Sequence, residues 1–144
     1  MAFKPVNLIP GIGKLKYVAT PSVSFRAGEI LIRNFTTGLI ATATSTAYVS
    51  VIEAISTKTE TTSSGTVYIE AVPIGGITYV VADTNADTAD QQLNKSHALT
   101  SSILVNNTST HTATSAGVFT AISIVGTGGT RKLFGYLTKV STGN

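Results

Sequence analysis

Cysteine and tryptophan are absent from the 144 residues, and His97 and His111 are the only histidines. Without thiols there is no cysteine-based zinc site, no thiol catalysis and no disulfide staple, and the redox compartment is left open. Charge is also scarce. Asp and Glu number 7, Lys and Arg 10, and together they make up 12% of the chain, about half the usual quarter. No early apolar run approaches the roughly 18–20 residues of a membrane span, and residues 1–27 lack the apolar centre of a signal peptide. A soluble protein made in the cytoplasm is expected, with no cofactor, no metal and too few reactive groups for an enzyme.

What the chain does have is apolar and hydroxyl side chains. Hydrophobic residues reach 42%, and 24 Thr and 14 Ser supply the polarity that charge does not. The length suits a single domain. The net charge of +3 is unevenly placed: residues 1–33 sum to +4, residues 34–130 to −4, and residues 131–144 to +3. Basic ends around a mildly acidic body suggest that the ends meet an acidic surface. No Lys/Arg cluster is interleaved with aromatics, so nucleic acid is not the expected partner.

Residues 1–14 hold Pro5, Pro10, Gly11 and Gly13 among the apolar Phe3, Val6, Leu8 and Ile9. Proline and glycine at that density disfavour helix and regular strand, yet the segment is too apolar for a solvated tail. The expectation is an extended N-terminal arm over 1–14, buried against another molecule or folded back on its own domain. From Leu15 on, runs rich in Val, Ile, Thr and Tyr alternate with turn residues: LKYVAT (15–20), SVSF (22–25), EILIRNF (29–35), LIATA (39–43), AYVSVIEAI (47–55), TVYIEAV (66–72), ITYVVA (77–82), VFTAISIV (118–125) and RKLFGYLTKV (131–140). Short strands at this spacing predict one all-β domain over 15–144, a small β-barrel or β-tulip-like sandwich. At most one short helix fits, over 86–99. Residues 56–66 and 106–117 read as exposed loops. Strands apolar on both faces, such as 66–72, need cover on both sides. A second subunit would supply it, with Tyr68, Val72, Phe134 and Tyr136 as candidate contacts.

Patterns that could carry chemistry are weak. Asp83, Asn85 and Asp87 match the start of a calcium loop, but Thr88 stands where its glycine belongs and Asn94 where its bidentate glutamate belongs. Lys14 follows Gly11 and Gly13, but Leu8 and Leu15 break the phosphate-loop pattern. Gly126, Gly128 and Gly129 before Arg131 and Lys132 suit a strand-connecting turn better than an anion nest. Neither histidine has a partner at ligand spacing, and no nucleophile elbow exists. Glu53 and Glu70 lie in strands, where exposed cross-strand positions explain them without a shared cleft.

The succession of an apolar Pro/Gly arm, a strand after Ala27-Gly28-Glu29, GTVYIE (65–70), GITY (76–79), VFT (118–120) and RKLFGYL (131–137) resembles the decoration, or cement, proteins on the heads of tailed bacteriophages. The likeness is one of pattern across most of the chain. It implies a β-barrel or β-tulip domain, usually trimeric, seated on the outer capsid surface where major capsid subunits meet, with a terminal arm laid on the shell. One departure is that 51–54 continues as strand where members often turn at a glycine. The expected function is therefore structural: a virion protein stabilising the major capsid protein lattice, with Phe3, Lys4, Val6, Leu8, Ile9, Lys14 and Lys16 as the capsid-binding arm. Neither nucleic acid nor membrane is an expected partner. The alternative is a carbohydrate- or cell-surface-binding module using the Thr/Ser loops and Tyr48, Tyr68 or Tyr79.

Overall fold

All nine apolar runs contain strands, and five further short ones complete the fold. A computed structural model describes residues 3–6, 14–43, 52–74, 77–85, 93–105, 118–127 and 131–138. In chain order the strands are β1 (Phe3–Pro5), β2 (Leu15–Ala19), β3 (Ser24–Phe25), β4 (Ile30–Arg33), β5 (Ile40–Thr42), β6 (Ile52–Ser56), β7 (Glu60–Thr61), β8 (Val67–Pro73), β9 (Ile77–Ala82), β10 (Ser96–His97), β11 (Leu99–Ser101), β12 (Leu104–Val105), β13 (Phe119–Val125) and β14 (Lys132–Thr138). The fold is all-β, and no helix occurs among the described residues.

Five strands close a barrel in the order β2-β5-β4-β6-β8, and a five-stranded sheet runs β1-β9-β14-β13-β10. Every ladder is antiparallel except β2–β5 in the barrel, where Ala19 pairs with Ile40 in parallel. The Thr20 amide and hydroxyl both donate to the Ile40 carbonyl there, each at 2.9 Å. A five-stranded lumen is narrow, and Ala19, Ala54 and Ala71 share it with Leu31, Ile40, Ile69 and Phe25. A second cluster lies between barrel and sheet. There Ile30, Ile52 and Ile55 from the barrel wall meet Phe3, Val80, Ala82, Phe119, Ala121, Leu133 and Leu137 from the sheet.

This second cluster explains the strands that are apolar on both faces. In β4, Leu31 points into the lumen while Ile30 and Ile32 point at the sheet. The chain thus covers both faces of this strand itself, where the sequence suggested a partner subunit. In β8, Ile69 and Ala71 turn inward, Tyr68 outward, and Val72 is buried as well. Val72 is therefore not a surface contact.

Two bulges set the faces. Between β4 and β6, Ile30 pairs with Ile55, Leu31 with Ala54 and Ile32 with Ile52, leaving Glu53 as an extra residue. The bulge lets Ile52 and Ala54, two residues apart, serve different clusters. In β13 the ladder skips Ile122. The simple alternation expected over 118–125 therefore fails, and Phe119, Ala121 and then Ile124 face the core. Gly135 is demanded by packing, because a Cβ there would lie 2.7 Å from Phe119 Cζ and against the Thr120 backbone.

The expected arm is corrected where it is described. Phe3 to Pro5 form an edge strand on β9, with Phe3 opposite Ala82, and the Phe3 ring is wholly buried in the chain's own core. Pro5 is tolerated because β1 is an edge. Leu8 and Ile9 lie outside the described residues. The helix expected over 86–99 is replaced in its second half by β10 and the start of β11; residues 86–92 lie outside the described residues. The loop expected over 56–66 is also more ordered in function than its polarity suggests. Ser56 ends β6, and Thr62 is buried, its hydroxyl donating to the Thr20 carbonyl at 2.7 Å and accepting from the Val23 amide at 3.0 Å.

Candidate docking face

The register of the five-stranded sheet sorts its side chains into two sets. Val80, Ala82, Leu133 and Leu137 face the core, so Tyr79, Val81, Phe134 and Tyr136 stand on the opposite side. Rows across the ladders follow directly. Lys4 pairs with Val81, Val81 with Phe134, and Phe134 with Ser123. Tyr79 pairs with Tyr136, Tyr136 with Thr120, and Thr120 with Ser96. The Val6 amide donates to the Tyr79 carbonyl at 2.7 Å, which carries the first strand to the edge of that row. Lys132 and Asp83 close the far end with an ion pair of 2.8 Å.

Three rings gather in the middle. Tyr79 stacks on Phe134 with centroids 5.8 Å apart and planes at 11°, and meets Tyr136 edge-on at 6.0 Å and 73°. Both are favoured aromatic geometries, reached through one direct and one diagonal cross-strand pair. Tyr79 remains 37% exposed, and Val6 59%. The structure thus brings together residues that the sequence assigned to different roles: Lys4 and Val6 of the arm, Phe134 and Tyr136 of the oligomer contact, and Tyr79 of the sugar site. Val81 was missed. Its alternation with Tyr79 was the available signal.

The remaining candidates lie elsewhere. Lys14 and Lys16 are exposed at the start of β2. There Val18 pairs with Tyr68 on the outer barrel wall, 36% and 58% exposed. This is a second, smaller apolar face. Tyr48 and His111 lie outside the described residues. His97 is wholly buried opposite Phe119.

Charge on the described surface is lopsided. Glu53 pairs with Arg33 at 3.0 Å, Glu70 with Lys58 at 3.6 Å, and Asp83 with Lys132. Glu29 is buried and accepts hydrogen bonds from the Arg26 amide at 2.8 Å and the Ser102 hydroxyl at 2.7 Å. Of the described acids only Glu60 is left without such a partner. By contrast Lys4, Lys14, Lys16, Arg26, Lys95 and Arg131 are exposed with no ion pair among the described residues. Glu53 and Glu70, the acids weighed for a shared cleft, are thus each held by a cation. Asp83 is held by Lys132, while Asp87 and Asp90 lie outside the described residues. Among the described residues no three His, Asp or Glu side chains group as a metal site. Beside the Arg33–Glu53 pair, burial pushes the Tyr17 hydroxyl pKa up from its ordinary value, Glu53 adds to the rise, and Arg33 opposes it.

No family model matches the chain, and neither a curated protein nor a solved structure does.

Proposed function

We propose that the protein is a structural virion component that binds the outer surface of a phage capsid and stabilises contacts between major capsid subunits. The observation that carries this reading is the surface charge: four of the five described acids are engaged within the chain, while six described cations have no ion pair among the described residues and can meet an acidic partner. Such a surface is attracted to an acidic shell and binds by complementarity, without catalysis. The order of motifs shared with head decoration proteins supports the same reading. In this role the protein forms a homo-oligomer, a trimer by that resemblance, and the Val18–Tyr68 face of the barrel is the contact between copies. Many copies on an intact lattice stabilise it by mass action, because they bind the assembled form alone.

The test is co-sedimentation of purified protein with expanded heads of its phage, followed by thermal disruption of decorated and bare heads. Saturable binding and a higher disruption temperature are expected. Heads that neither bind the protein nor gain stability refute the reading. The stacked Tyr79–Phe134 pair favours a second reading, a glycan platform, which a glycan-array signal without head binding would establish.

A further inference from the structure

We infer that the outer face of the five-stranded sheet is the surface that docks on an acidic protein partner, and that it does so face-on and not by adding a strand. The identity of that partner rests on the capsid reading above; the face itself does not.

Strand addition needs an edge with backbone donors to offer. The β1 edge offers few. The Phe3 amide is spent on the Gly28 carbonyl at 3.1 Å, the Val6 amide on Tyr79, and Pro5 has no N–H. Its side chains offer more. Lys4 lies on the same side as Val81 and Phe134, so the cation and the aromatic cluster form one continuous face. Among the described residues the only acid placed on that face, Asp83, is paired with Lys132. Lys4 at one edge is exposed and unpaired among the described residues, and Lys132, 43% exposed, stands beside Asp83 at the far end. An apolar, aromatic centre with a positive rim is the complement of a protein surface bearing carboxylates around apolar side chains. A nucleic acid backbone fits less well, since its regular phosphates need a track of cations. Here two cations flank rings, and a carboxylate sits beside them.

The experiment compares two charge reversals of equal size on the full chain, Lys4→Glu with Lys132→Glu, and Lys14→Glu with Lys16→Glu. Binding is measured to immobilised poly-L-glutamate and, separately, to heads. The sheet-face pair should weaken binding about tenfold or more and flatten its salt dependence, while the barrel pair changes it less than about twofold. Tyr79→Ser should weaken head binding, and because it also removes two ring contacts its unfolding midpoint is measured alongside and binding compared where the variant is fully folded. Equal losses from both reversals, or tighter binding to duplex DNA than to poly-L-glutamate, overturn the assignment of the face. Wild-type protein that binds poly-L-glutamate through this face but ignores heads upholds the face and refutes the capsid reading.

Discussion

Replacing Phe3 with alanine separates an arm from a core residue. The ring is wholly buried and packs in the cluster between barrel and sheet. Removing such a ring costs about 3–5 kcal/mol, made up of lost transfer free energy and the cavity left behind. For a domain near this size each kcal/mol lowers the melting temperature by roughly 2–4 °C, so a fall of about 6–20 °C is expected. The loss has a ceiling. The first strand is three residues long and held by a single ladder, so it can detach once its own docking free energy is exceeded. Beyond that point further damage is not felt by the rest of the fold. Urea titration measures the global loss. Hydrogen exchange at the Val6 amide, bonded to Tyr79, measures the local one. Val6→Ala is the control and should cost under about 0.5 kcal/mol, as its side chain is mostly exposed. A Phe3→Ala loss below about 1 kcal/mol, with Val6 exchange unchanged, would refute the placement of this ring.

Four other substitutions probe the frame. Gly135→Ala forces a methyl group against Phe119 and the Thr120 backbone, and should cost at least about 1–3 kcal/mol in urea titration. Glu29→Gln keeps the shape but weakens the hydrogen bonds from Arg26 and Ser102; a loss of about 1–3 kcal/mol is expected, read by thermal unfolding at neutral pH. Thr62→Val strips a buried hydroxyl from the Thr20 carbonyl and Val23 amide, and should cost about 1–3 kcal/mol with the same readout. The Tyr17 pKa is raised in the folded state by burial and then by Glu53. The unfolded chain therefore loses that proton first, and stability is complete below the ordinary tyrosine value of 10.0 and falls as pH rises above it. Tyr17→Phe should flatten that fall relative to wild type, and unfolding midpoints measured across this range check it.

Strand positions were legible because the runs are long enough to alternate and are bounded by glycine, proline or polar turns. Leu133 and Leu137 stand opposite Phe134 and Tyr136 in plain alternation, because the last strand carries no bulge in its pairing with Ile77–Ala82. Alternation failed at Glu53 and Ile122, where one unpaired residue flips everything beyond it. The short strands outside these runs were invisible, since neither Glu60–Thr61 nor Ser96–His97 is long enough to show a period. The one short helix that 86–99 allowed does not form over 93–99, where Ser96 and His97 pair with Thr120 and Phe119 farther along the chain.

Composition and alternation alone were enough for an all-β domain, since neither depends on which segments meet. They also showed a chain poor in reactive groups and weighted with cations at its ends. Which apolar residues lie inside was another matter. Phe3 and Val6 are neighbours of similar polarity, yet one fills the core and the other faces water, because the pairing with Val80–Ala82 alternates their sides. The docking face has the same origin. Lys4, Tyr79 and Phe134 lie far apart along the chain and become neighbours through strand order and register, which are set by long-range pairing and not by local preference.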